Sequence, residues 1–402
     1  MTTAGLLAGL SVVELVTFVA GPLCGTTLAG LGADVLRIDP LGGSADRDRW
    51  PVTDTGRSIY WSSLNRGKQS ATLDLRSARG QDVLTELVRR TGVFVTNSAR
   101  PWHSYEALSA VRPDLIMVRI TGRHDGAAAV DYTVNAKLGI PYLTGPPGSD
   151  PVSHSLPAWD ISCGLYAALA VVSAVRRRDA TGAGANIVIP LENVGAGLLG
   201  QLGYLAEVQL TGRGRERVGN DVYGTFGHDF PTADGRVMVV ALSNRHWRDL
   251  LAVTGTTDAV DALAADLGVD FTTEANRFRH RARLIALMAP WFAARPTAAV
   301  LTELADTSVL AERFQTTEQY VTGGQLGENP LFRALDQVGL GTYLAAGVPL
   351  DIDGSYPQAG PAPVLGEDTP DVLARAGLTP DEVTHLVDEW GLVTDSDKES
   401  QP

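Results

Sequence analysis

Asp160 stands between the lead-in Leu156-Pro157-Ala158-Trp159 and an apolar run, Ile161 to Val175, that stops at Arg176-Arg177-Arg178. A carboxylate at this place has two uses. Asp is a strong N-cap, Pro157 disfavours helix at Leu156, and the arginines suit the C-terminal end of a helix dipole. The same carboxylate is ionised at neutral pH without a partner base, which is what a covalent nucleophile needs. These residues leave both uses open. Asn97 is a second candidate, because it follows the apolar stretch Val93 to Thr96 and α/β folds gather ligands past the ends of their strands. The run Thr211-Gly212-Arg213-Gly214-Arg215-Glu216-Arg217 is either a solvated connector or a phosphate contact. Seven histidines without metal-ligand spacing and two cysteines, Cys24 and Cys163, predict neither a metal site nor a disulfide framework.

The elements that must position Asp160 alternate along the first half of the chain. Ser11 to Val19 reads as a buried strand, Leu23 to Leu31 as a helix, and Ala33 to Ile38 as a second strand ending on Asp39-Pro40. Further strands are expected at Ala71 to Leu75, Val93 to Thr96, Leu115 to Ile120 and Gly184 to Pro190. Helices are expected at Arg79 to Arg90, Tyr105 to Val111 and Glu192 to Leu210. Alternation of this kind predicts an α/β domain with a mostly parallel, Rossmann-like sheet. Gly21, Gly25, Gly30 and Gly32 do not spell the dinucleotide fingerprint, so nicotinamide is not expected. Gly42 to Gly56 reads as an exposed loop and Gly122 to Ser155 as a long irregular segment, a kind that is more often functional than accidental.

The texture changes after the arginine-rich linker. A hairpin, Tyr223 to Phe230 with Arg236 to Ala241, precedes helices at His246 to Val253, Thr257 to Leu267, Phe278 to Arg295 and Thr297 to Ala305. Residues 1–215 are therefore expected to form a large α/β domain and 216–329 a smaller α+β domain. Residues 330–402 form a last segment with short helices near Pro370 to Ala376 and Val383 to Trp390, and a frayed tail from Asp395 to Pro402.

Composition narrows the function. Of 402 residues, 44% are hydrophobic and 20% charged, and the formal charge is −13. A net acidic surface argues against a nucleic-acid or anionic-membrane partner while still permitting a local cradle for an anion. Met1 to Leu10 has no basic leader region, and no run of about 18 apolar residues is uninterrupted. A protein of the reducing cytoplasm, with no membrane partner, is expected.

Several stretches together resemble the class III CoA transferase family, which also contains the α-methylacyl-CoA racemases. They are Gly21-Pro22 through Gly32-Ala33-Asp34-Val35, Asn65-x-x-Lys68-x-Ser70-x-x-Leu73-Asp74-Leu75 and Val95-x-Asn97. Trp159-Asp160-x-x-x-Gly164, Thr181-Gly182-x-Gly184 and Ala362-Pro363-x-Leu365-Gly366-Glu367-x-Thr369 continue the series. The resemblance implies that Asp160 is the nucleophile. It also implies a large domain built from both ends of the chain with the smaller domain inserted, and two chains interlocked as a homodimer. The substrate implied is an acyl-CoA, with CoA belonging to the substrate and no separate cofactor. Carried over by position, Val19, Arg37, Lys68 and Asn97 would line the CoA pocket. An ordinary surface charge is the alternative for Arg37 and Lys68, and a turn former for Asn97.

One position divides the family. Racemases carry a catalytic His directly before the Asp that aligns with Asp131; here Val130 stands there, and His124 lies six residues early. Racemisation is therefore not expected. No glycine-rich flap of the oxalate-transferase kind is found either. The densest resemblance, in Gly122-Arg123-x-Asp125-Gly126 and Val130-Asp131-Tyr132-Thr133-Val134-Asn135, implies CoA transfer within one dicarboxylic acyl group. Transfer from an acyl-CoA to a free acid is the alternative.

Overall fold

The computed structural model describes residues 5–392; the expected tail from Asp395 to Pro402 lies outside them. The chain forms two compact units. One comprises the chain up to Leu138, Ser155–Ala206 and everything from Gln325 onward; the other comprises Gly139–His154 and Glu207–Gly324. The sequence-based division at 215/216 and 329/330 thus shifts. The first break lies within a helix, Tyr204–Thr211, and part of the irregular segment joins the second unit. Arg217 is one reason, since its guanidinium donates to the carbonyls of Tyr142 at 3.0 Å and Pro141 at 3.2 Å. Arg215 pairs with Glu207 at 2.6 Å, so two of the linker arginines are spent on the protein itself.

The first unit is built on six parallel strands. They are β1 (Ser11–Leu15), β2 (Asp34–Pro40), β3 (Gln69–Leu73), β4 (Val93–Thr96), β5 (Ile116–Thr121) and β6 (Ala185–Pro190), ordered β3-β2-β1-β4-β5-β6. This is the doubly wound order, whose direction of growth reverses between β1 and β4 and opens a crevice there. The helices are α1 (Ala20–Gly30), α2 (Ile59–Ser63), α3 (Ala78–Thr91), α4 (Tyr105–Val111), α5 (Asp131–Lys137), α6 (Ala158–Thr181) and α7 (Leu191–Gln201). Two expectations are corrected by backbone chemistry. The first strand stops at Leu15 rather than Val19, because the chain must turn from the sheet into α1. The expected single helix Glu192 to Leu210 is broken at Gly203, whose φ is +80°.

The C-terminal segment closes this unit. Asp368 accepts from the Ser70 N–H at 2.7 Å, and Thr369 Oγ1 accepts from the Thr72 N–H at 3.0 Å, so the edge of β3 is covered rather than left open. Val372, Leu373, Leu386 and Val387 then pack into one core with Val13, Ile38, Leu73, Leu84 and Phe94. The second unit has its own core around a three-stranded antiparallel sheet, where Phe230 stacks on Phe292 with centroids 4.0 Å apart.

Helix α6 meets the length and composition of a membrane span, which the sequence reading did not anticipate. Its buried stripe, Trp159, Cys163, Gly164, Ala167, Ala168, Val171 and Ala174, is nevertheless that of a core helix packed against α1 and the sheet. Gly164 allows the close approach, since a Cβ there would lie 2.7 Å from the Ala20 carbonyl oxygen. Gly25 of α1 is under a stricter constraint: a Cβ would fall 1.8 Å from Glu14 Oε2. Gly25→Ala should therefore displace a buried ion pair and destabilise the protein by about 1–3 kcal/mol in chemical denaturation. An unchanged unfolding midpoint would show that Glu14 moves aside freely.

Candidate active site

The crevice between β1 and β4 is formed by the turns that follow both strands. After β1 the chain passes through Thr17 and Phe18 to Val19, the half-buried residue that precedes α1. After β4, Asn97 donates its amide to the Thr17 carbonyl at 3.1 Å and to Thr17 Oγ1 at 3.2 Å. Asn97 is thus a tie between the two turns, and with Val19 it lies where the fold gathers ligands. Phe18 has φ +68°, a left-handed conformation that disfavours a bulky side chain. Its N–H donates to Asp46 Oδ2 at 3.0 Å, which helps hold it there.

Arg37 and Lys68 are not surface charges. Arg37 is fully buried, bonded through Nε to Asp39 Oδ2 at 2.7 Å and through Nη2 to Asp46 Oδ1 at 3.2 Å, while Nη1 reaches Asn65 Oδ1 at 3.1 Å. Lys68 Nζ donates to Glu14 Oε1 at 2.6 Å, the Pro22 carbonyl at 2.8 Å and Asn65 Oδ1 at 3.0 Å, which uses all three ammonium protons. Both side chains are bonded to groups of the protein itself, which gives them a positioning role in the turns around them. The chain of contacts runs from Glu14 through Lys68, Asn65, Arg37 and Asp46 to the strained Phe18. The loop read as exposed, Gly42 to Gly56, supplies the buried Asp46.

Asp160 is not the N-cap of α6. The helix begins at Ala158, which puts Asp160 at the third helical position, and the capping acceptor comes from elsewhere. Asp131, first residue of α5 and buried, accepts from the N–H groups of Trp159 at 2.7 Å and Asp160 at 3.0 Å. Trp159 Nε1 donates to Asn135 Oδ1 at 3.2 Å, which locks α5 against the start of α6. The Asp160 carboxylate is thereby left out of the cap. Burial, then the nearby Asp131 charge, push its pKa up to about 6, and Arg49 works in the opposite direction. Asp160 remains mostly ionised at neutral pH and is poorly solvated, which favours attack on a carbonyl. Cys163, one turn on, is no competitor, since burial and then Asp160 push its thiol up to about 12.

Val130 precedes α5 with an exposed side chain, and its N–H donates to Thr133 Oγ1 at 3.0 Å. Nothing on it can carry a proton. His124 lies 3.7 Å from Glu192, which also pairs with Lys137 at 2.5 Å. Arg49 and Tyr60 were not singled out in the sequence; their electrostatic influence on Asp160, or its on them, brings them to this neighbourhood.

A chain with a partly buried aspartate in the first turn of α6 and a doubly wound sheet has a family match. The model for CoA-transferase family III covers residues 7–369. The chain belongs to CoA-transferase family III. It is 46% identical to 2-methylfumaryl-CoA isomerase of Chloroflexus aurantiacus, over 98% of this chain and 99% of that one. It is 28% identical to succinyl-CoA:mesaconate CoA-transferase of Haloarcula hispanica, over 93% and 97% of the two chains. A CAIB/BAIF family protein from Brucella suis has the same fold, with TM-score 0.77 and 27% identity over 93% of this chain and 100% of that one.

For this family III transferase the raised Asp160 pKa has a stability consequence. The folded protein holds a proton on Asp160 that the unfolded chain gives up near pH 3.8, so stability falls as pH rises from there to about 6. Asp160→Asn should abolish transfer and yet be more stable than wild type at pH 7 by about 1–3 kcal/mol, with the gap closing near pH 4. Urea denaturation at the two pH values measures this, and a variant less stable at pH 7 would contradict it.

Asp131→Asn keeps an oxygen for the two amides and removes the charge. The acid limb of kcat/KM, expected near pH 6 in wild type, should then move to lower pH. An unmoved limb would mean that Asp131 acts on Asp160 through structure alone.

Proposed function

We propose that this protein transfers CoA between the two carboxylates of one dicarboxylic acyl group, converting 2-methylfumaryl-CoA into 3-methylfumaryl-CoA through an aspartyl-CoA thioester on Asp160. The observation that carries the reading is Asp160 itself, ionisable near neutrality and unspent on capping because Asp131 supplies the cap. The 46% identity to an enzyme named 2-methylfumaryl-CoA isomerase supports the acyl group.

The Asp160 carboxylate attacks the thioester carbonyl, forming a mixed anhydride and expelling CoA thiolate. The thiolate attacks the Asp160 carbonyl of that anhydride, giving aspartyl-CoA and a free substrate carboxylate that keeps one Asp160 oxygen. The second carboxylate of the same diacid then attacks aspartyl-CoA, again expelling thiolate and forming an anhydride. Attack of the thiolate on the substrate carbonyl completes the new thioester and regenerates Asp160. Positive potential at the start of α6 favours the negative charge that develops at each step. Water must stay out, since anhydride and thioester both hydrolyse. Keeping the diacid in place replaces an acceptor that would have to diffuse in.

Val19 and Asn97 lie where CoA would enter the crevice, and Arg37 and Lys68 fix the turns around it. A second copy of the chain would cover the apolar residues Leu165, Tyr166, Leu169 and Val172, which α6 leaves exposed, and complete a homodimer. Two reduced, buried cysteines suit a cytoplasmic protein.

2-Methylfumaryl-CoA supplied alone should convert to the regioisomer, and labelled free mesaconate in the same mixture should enter the product only in traces. Chromatography of the esters with isotope counting measures both. Extensive incorporation would instead assign transfer between an acyl-CoA and a free acid, as in the enzyme named succinyl-CoA:mesaconate CoA-transferase.

A further inference from the structure

Arg49 and Tyr60 take no part in the bond-making above, yet they are built into the same neighbourhood. Arg49 follows β2 in the loop that carries Asp46, and its main chain is pinned at both ends. Its N–H donates to the Asp46 carbonyl at 3.3 Å, and its own carbonyl accepts from Ser58 Oγ at 2.5 Å. Ser58 in turn caps α2, accepting from the Trp61 N–H at 3.0 Å, and Tyr60 lies in that helix. The Arg49 guanidinium lies 5.3 Å from the Tyr60 ring centroid and 5.5 Å from that of Phe18, the strained residue after β1. Two aromatic contacts orient the guanidinium plane and leave its N–H groups available for a carboxylate. The Tyr60 hydroxyl is buried and has no hydrogen-bond partner among the described residues. Burial pushes its pKa up to about 12, so it is a donor at neutral pH.

We propose that the Arg49 guanidinium and the Tyr60 hydroxyl bind the free carboxylate of the dicarboxylic acyl group, and hold the diacid while CoA rests on Asp160. The inference deepens the reading given under Proposed function and rests on it. In that scheme the acid becomes a dianion beside Asp160 and must stay until its other carboxylate has attacked. Arg49 is the cation whose charge acts on Asp160, and a guanidinium takes a carboxylate in two parallel hydrogen bonds. The unpartnered Tyr60 hydroxyl acquires an acceptor when the same carboxylate arrives. A thioester without a second carboxylate would leave both donors unmatched, so the pair would set specificity for diacids.

The test compares 2-methylfumaryl-CoA with methacrylyl-CoA, which has the same branched thioester and no second carboxylate. The rate at which each loads CoA onto Asp160 is read from acid released in a single turnover. Wild type should prefer the diacid ester. Arg49→Gln should reduce that preference on the order of 30- to 100-fold, and Tyr60→Phe about 5- to 10-fold. In both variants, labelled free mesaconate should enter the product more readily than in wild type. Arg49→Lys, which retains a charge but loses the fork, should fall between, and it keeps the test usable if Arg49→Gln does not fold. Equal slowing of the two esters would place Arg49 on the CoA portion they share and overturn the proposal, as would an unchanged preference in all variants. Wild type that shows the Arg49-dependent preference but makes no regioisomer would reject the isomerase reading and leave the carboxylate clamp standing.

Discussion

Asp131 begins one helix and spends its carboxylate on another. By accepting the first free N–H groups of α6, it does the work that the sequence assigns most naturally to Asp160. The consequence is chemical as much as structural. A capping carboxylate is held by amides and is a poor nucleophile, whereas Asp160 is relieved of capping. Burial, and after it the second negative charge that the same contact brings close, pushes the pKa of Asp160 up to about 6, above the ordinary carboxylate range. Helix stability and nucleophile availability are thus both set by where one carboxylate comes from.

The rest of the site depends on buried charges that are paired within the protein. Glu14 and Lys68 lie 2.6 Å apart beneath α1; burial pushes the carboxyl up and the ammonium down, and their contact opposes both shifts. Through Asn65 this pair is joined to Arg37, and through Asp46 to the backbone of Phe18. Buried pairs of this sort contribute little net stability compared with apolar packing, but removing one partner leaves an uncompensated charge. Their value here is geometric. They fix the turn after β1 and the loop after β2, the two pieces of backbone that place Phe18 and Arg49.

The sheet was legible because its strands are apolar, short and separated by helices of the expected length, and because turn residues bound them. Asp160 was legible as a chemical residue, and the family resemblance raised it above the capping alternative. Its exact place in the helix was not, since Asp131 reaches it from 29 residues away in sequence and no local rule reports such a cap. The buried setting of Arg37 and Lys68 was hidden for the same reason. A cation reads as exposed until its carboxylate partners, here Asp39, Asp46 and Glu14, are found around it. Arg49 and Tyr60 were hidden in a polar loop and at the start of a five-residue helix, with no spacing to single them out. Val130 was the clearest residue in the chain, because the absence of a titratable group needs no structure to interpret.

The central claim is that the Asp160 carboxylate is consumed and remade in each cycle, which exchanges one of its oxygens with the substrate. 2-Methylfumaryl-CoA carrying oxygen-18 in its free carboxylate, followed by proteolysis and mass spectrometry of the enzyme, tests this directly. The predicted result is a gain of heavy oxygen in the peptide containing Asp160, one atom after a single turnover and up to two after many, located on that side chain and on no other. An enzyme that completes many turnovers and keeps Asp160 unlabelled would contradict the account.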